Sequence, residues 1–240
     1  MSERLPPPTT TTPVTSLHDP RAITLMTTEH WSLLSARALA YNEAFVRAGI
    51  FLTFLSMSFV ALALLAQAMS FDRDFLSVAA IVLGFDLVIG LTTFMRINGA
   101  NLDDLRAVHG MARIRHGYTQ IAPVVSPYFT TPVHDDIDAV TAVYGVTSLT
   151  MAGQIAYGLS TSGGMIGLIV SMVAGVLIAV VSVLMGVAGG SALWIGLVGG
   201  VLTMAGLIVY GALSVPREQA RFTALFPTPT SAPPESPTED

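Results

Sequence analysis

Between residues 139 and 216 the chain carries no Asp, Glu, Lys, Arg or His. So long an uncharged stretch cannot cover a water-facing globule, but it can cross hydrocarbon, where about 20 apolar residues make one helical span. In that medium the backbone must satisfy its own hydrogen bonds, which leaves helices or a closed barrel. The rest agrees with helices: 52% of residues are hydrophobic and 11% charged, mean hydropathy is +0.65, and a soluble domain carries about 25% charged residues. The expected fold is an all-α, polytopic membrane protein with four transmembrane helices.

Spans are expected at 48–69, 75–95, 164–188 and 192–213, with "SFDRD" (70–74) as a tight polar turn. Residues 139–160 are uncharged but diluted by Thr, Ser, Gly and Gln, and read as an interfacial, re-entrant or packed segment. Arginine placement decides against a fifth span. With four spans, every arginine except Arg73 falls on one side, including Arg96, Arg106, Arg113, Arg115, Arg217 and Arg221. Positive charge is retained in the cytoplasm, so both termini are expected there, in a bacterial plasma membrane. A fifth span would carry Arg217 and Arg221 outside.

Residues 1–26 lack the apolar core of a signal peptide, so the first span is expected to act as the anchor. Residues 1–26 and 214–240, rich in Pro with Thr or acidic residues, read as disordered tails. Residues 27–47 read as an amphipathic interfacial helix capped by Thr27 or Thr28, with Trp31, Leu34, Ala38, Tyr41 and Phe45 on one face; packing on the protein's own cytoplasmic part is the alternative. Residues 96–138 read as a cytoplasmic helical segment, with Asn101 as a cap and Asp103 and Asp104 in the first turn.

Three constellations are candidates for function. In "DDLRAVHGMARIRHGY", Arg106, His109, Arg113, His116 and Gln120 recur at helical spacing, and Arg115 adds charge. This basic face suits positive-inside anchoring, anionic lipid, each cation contributing about 1 kcal/mol near an acidic leaflet, or an acidic cytoplasmic partner. "VHDDID" (133–138) reads as capping or as pairing with those arginines, since one short acidic run rarely completes a metal shell.

Asp86 lies near the middle of the second span, where a carboxylate costs about 2.5–3.5 kcal/mol. It is either a point on an ion or proton path or a clasp to a hydroxyl or amide on a neighbouring helix. A mildly polar stripe on the first span, Thr53, Ser56 and Gln67 with Ala63, is placed to meet it. Small residues line the last two spans: Gly164, Gly167, Ser171, Gly175, Ala179, Ser182, Gly186 and Gly190 on one, Gly196, Gly200, Thr203 and Gly206 on the other. Such rows bring backbones close where lipid provides no hydrophobic push, within a hairpin or between protomers of a homo-oligomer.

No cofactor motif, catalytic motif or nucleic-acid reader is present, and there is no cysteine. The stretches "EHWSLLSARALAYNEAFVRAGIFLTFLS" (29–56) and "GMARIRHGYTQIAPVVSPYF" (110–129) resemble a family of bacterial four-span integral membrane proteins. That resemblance implies the architecture and no activity. The functional expectation is a small oligomeric channel or transport component. The alternative is a structural or interaction protein that holds membrane lipid or a cytoplasmic partner through its basic helix.

Overall fold

The computed structural model describes residues 14–145 and 150–229. The chain is all-α, and four of its helices are long and apolar enough to cross a membrane. They are α1 (Pro20–Met69), α2 (Arg73–Ile121), α5 (Ser162–Leu184) and α6 (Gly189–Gln219). Two short helices, α3 (Ile137–Ala142) and α4 (Met151–Ser160), lie between them. At 6 and 10 residues neither is long enough to span, since a helix rises about 1.5 Å per residue. The expected tails at 1–13 and 230–240 lie outside the described residues.

Three boundaries differ from the sequence reading. Residues 27–47 and the first span form one helix of 50 residues. It starts at Pro20, whose fixed φ suits a first helical position, and Asp19 caps it by accepting the Arg21 N–H. Thr27 and Thr28 are interior, and Thr28 donates to Thr24 O. The second span likewise runs on into the basic segment as one helix of 49 residues. Asn101 is expected to cap a separate helix, yet α2 passes through it because Ile97, Ala100 and Asp104 are buried there. Asn101 is therefore not a cap. Pro123 lacks an amide hydrogen; α2 ends at Ile121, and a 3₁₀ turn follows over Pro123–Tyr128, so the helical segment stops well short of residue 138.

The third correction concerns the C-terminal tail. Helix α6 extends to Gln219, and residues 222–228 pack back on α2 and on the loop at 134–136.

Each of α1 and α2 is about 75 Å long against a hydrocarbon layer of about 30 Å. A two-helix stem therefore stands beyond the spans. The turn joining them is the expected polar one: Ser70 and Phe71 adopt left-handed backbone, and Asp72 caps α2 by accepting the Phe75 N–H at 2.8 Å. In the span zone Phe51 and Leu55 of α1, Leu83 and Phe94 of α2, and Ile166 and Val170 of α5 form the core. In the stem, Leu105, Val108 and Met111 pack with Val140 of α3.

Helix α1 meets α2 through Met26, Leu33, Arg37 and Ala44. A methyl group on Gly110 would come within 2.9 Å of Leu33, and one on Gly117 would collide with Met26. Of the face expected to be interfacial, Trp31 and Phe45 point away from this contact, 63% and 55% exposed, while Tyr41 turns toward Asp104 of α2.

The α5–α6 hairpin closes along the small-residue rows. A methyl group on Gly175 would lie 2.9 Å from Gly196 O, and one on Gly200 would lie 2.9 Å from Ser171 O. Ala179 Cβ abuts Gly196, and Gly167 faces Phe94 of α2. The rows are shorter than the sequence suggests. Gly186 lies in the connecting loop with φ +91°, and Gly206 has nothing near it.

Candidate functional site

Asp86 is fully buried. Ser58 Oγ donates to its Oδ1 at 3.0 Å, and its Oδ2 has no partner among the described residues. The expected companions are elsewhere: Thr53, Ser56 and Gln67 are exposed on the outer side of α1, and Ser56 is bonded to its own helix at Leu52 O. The side of α1 that meets the core repeats through Ala44, Phe51, Leu55, Ser58 and Ala66, which is helical phasing. Thr53 and Ser56 fall out of that phase. One turn from Asp86, Phe51 and Val170 fill the space a side chain on Gly90 would occupy. Asp86 is thus enclosed with one hydroxyl.

The basic face of α2 is occupied by the chain's own acids and tail. Arg106 bonds Glu218 Oε1 at 2.6 Å and Asp103 at 2.7 Å. Arg113 bonds Asp135 at 2.7 Å and donates to Thr223 O at 2.6 Å. Buried His109 lies against the Phe222 ring, 4.9 Å between centroids, with Nε2 3.7 Å from Asp135. His116 stacks on Phe226 at 4.1 Å and contacts Gln120. Arg115, off this face, makes no hydrogen bond or ion pair among the described residues.

Within "VHDDID", Asp135 accepts the N–H groups of Leu225 and Phe226 at 2.9 and 2.7 Å. Asp136 caps α3 and accepts from Thr228. Burial pushes the Asp135 carboxyl up, but the Leu225 N–H, Arg113 and the Phe226 N–H outweigh it and hold it below the usual carboxylate range. Asp136 is held down likewise, burial opposing and Thr228 prevailing. Glu218 is lowered chiefly by Arg106. His109 is lowered by burial and then by Arg113, against the pull of Asp135.

The sequence reading missed a second buried set. Arg37 of α1 is bonded to Asp104, which also accepts from Tyr144 Oη at 2.7 Å. Burial, then this hydrogen bond to a carboxylate, pushes the Tyr144 phenol far up. The available signal was that Arg37 and Asp104 lie in phase with the buried positions of their own helices.

Where stem and spans meet, a cavity of about 680 Å³ opens among α1, α2, α4, α5 and the end of α6, lined by Tyr41, Asn101, Tyr144, Tyr157 and Val215 among others. A second, almost wholly apolar groove of about 650 Å³ follows the α5–α6 seam. Among the described residues, no three His, Asp or Glu are grouped to hold a metal ion.

Comparison of the chain with protein-family models, with curated proteins and with solved structures finds no match.

Proposed function

We propose that this protein works by interaction rather than conduction. In this reading four spans anchor a helical stem in the cytoplasm of a bacterial plasma membrane, and the stem meets a protein partner. The single observation that carries it is the enclosure of Asp86. The most costly side chain in the membrane zone touches Ser58, and none of Thr53, Ser56 or Gln67 extends a polar route from it.

The stem, in contrast, leaves Trp31 and Leu39 exposed on α1, and grouped apolar exposure in water marks interaction surfaces. Arg106 and Arg113 are held by the tail and Arg115 is half-buried beside Arg37, so the apolar face rather than the basic one is left for that partner. The one-sided arginine distribution supports the cytoplasmic placement. Self-association through the groove along the α5–α6 seam belongs to the same reading.

Conduction is the second reading, favoured by the unpartnered Oδ2 of Asp86, because intramembrane carboxylates commonly mark ion paths. Proton and cation flux into proteoliposomes decides between them. Wild type and Asp86→Asn should leak equally and weakly; flux abolished by Asp86→Asn overturns the interaction reading. A photoreactive residue at position 31 should crosslink to protein in cells, and crosslinks to phospholipid alone would place that face in the interface instead.

A further inference from the structure

The cavity between stem and spans has a chemistry that the interaction reading does not use. Its volume of about 680 Å³ is within the usual 300–1,000 Å³ of small-ligand sites. Its wall climbs α2 from Ile97 through Asn101 to Leu105, about 12 Å along the axis at 1.5 Å per residue, starting where the second span ends. Apolar Ala44, Ile97, Leu105 and Val215 share its wall with the uncharged polar groups of Tyr41, Asn101, Tyr144 and Tyr157.

No ionisable Asp, Glu, Lys, Arg or His lines it among the described residues. Charges on the helices that wall it are already engaged, Arg37 with Asp104 and Arg96 with Glu43 at 2.6 Å. An ionic group entering here would lose water without gaining a counter-charge, which is strongly unfavourable. Neutral hydrogen-bonding capacity is available, since the Asn101 amide and the Tyr157 hydroxyl have no partner among the described residues. The Ser160 hydroxyl donates to Tyr157 O and so remains an acceptor, while Thr161 donates to Gly158 O and accepts the Gly164 N–H at 3.1 Å. Phe45 and Val215, both exposed, line it beside the ends of the expected first and fourth spans.

We propose that this cavity binds a neutral amphiphile: a lipid whose uncharged, hydroxyl-bearing glycerol head bonds Asn101 and Tyr157 while its acyl chain passes Phe45 and Val215 into the membrane. The ligand class follows from three features together: uncharged polar groups, an apolar wall, and a place beside the ends of the expected spans.

The test uses the full chain in phosphatidylcholine nanodiscs with a diazirine-bearing diacylglycerol, and label sites mapped by mass spectrometry. Label is expected on the segments holding Tyr41–Phe45 and Tyr157–Gly163. Unlabelled diacylglycerol should compete and phosphatidylglycerol should not. Tyr157→Phe and Asn101→Leu should each lower labelling about tenfold, the loss when one buried ligand hydrogen bond goes unmade. Gly163→Leu should block the site sterically, because a methyl there makes only ordinary contact with Ile97 at 3.6 Å and the remaining atoms enter the cavity. Unchanged labelling in both Tyr157→Phe and Asn101→Leu overturns the proposal, as does label confined to lipid-facing positions such as Leu197, or equal competition by phosphatidylglycerol. None of these outcomes depends on Asp86 flux or on the Trp31 crosslink, so this proposal and the interaction reading fail separately.

Discussion

Asp135, fully buried, accepts the Arg113 Nε–H at 2.7 Å and with its two oxygens also takes the backbone N–H groups of Leu225 and Phe226. One carboxylate thereby ties three segments together: the stem helix α2, the loop before α3, and the chain after α6. Removing one member of a buried pair is costlier than never having the pair, because the other charge is left uncompensated.

Asp135→Ala should therefore release the tail while leaving the spans intact. Breaking the pair should cost about 3 kcal/mol, felt locally as undocking. In limited trypsinolysis of nanodisc-held protein, cleavage after Arg221 should accelerate about a hundredfold. A variant cleaved at the wild-type rate would show that the tail is held by other contacts.

Acid should release the tail in two stages. The lowered His109 makes docking dependent on a neutral imidazole, so stability is present above its unfolded value, about pH 6.5, and falls as pH drops below it. The carboxyls of Asp135, Asp136 and Glu218 are also lowered by docking. Their contribution is present above the unfolded value near pH 4 and is lost as pH falls further through the folded one. A probe on the tail should report both stages. His109→Phe, which keeps a ring beside Phe222, should remove the first and leave the second; an unchanged first stage would mean that another group carries it.

Tyr144→Phe should destabilise the stem by about 1.5–3 kcal/mol, the worth of a hydrogen bond to a charged group. Asp104→Ala should cost more, since it leaves Arg37 without an acceptor in a half-buried site. Hydrogen exchange on residues 100–112 reads the effect. Exchange equally slow in both variants would mean that the apolar contacts of Val108 and Met111 suffice.

Gly196→Ala should loosen the α5–α6 hairpin. The added methyl would meet Gly175 O at 2.5 Å and Ala179 Cβ at 2.7 Å, and overpacking of this kind costs about 1–3 kcal/mol. Gly206→Ala, with open space around it, serves as the matched control and should be neutral. Equal thermal unfolding of the two variants in detergent would argue against a tight seam at Gly196.

The helical class, four apolar stretches of spanning length, the polar turn at 70–74 and the small-residue seam through Gly175, Gly196 and Gly200 are all legible in the amino-acid sequence. Each follows from local length, composition or spacing. Which side of α1 faces α2 emerges from helix packing alone. Lipid is as apolar as a membrane-protein core, so a spanning helix shows little contrast between its two sides, and Ser58 could not be told from Thr53 or Ser56 by polarity. The occupants of the basic face were also hidden. Arg106 meets Glu218 across 112 positions of chain and Arg113 reaches Thr223 across 110. Ion pairing depends on distance in space, and the return of the chain after α6 decides which charges come close.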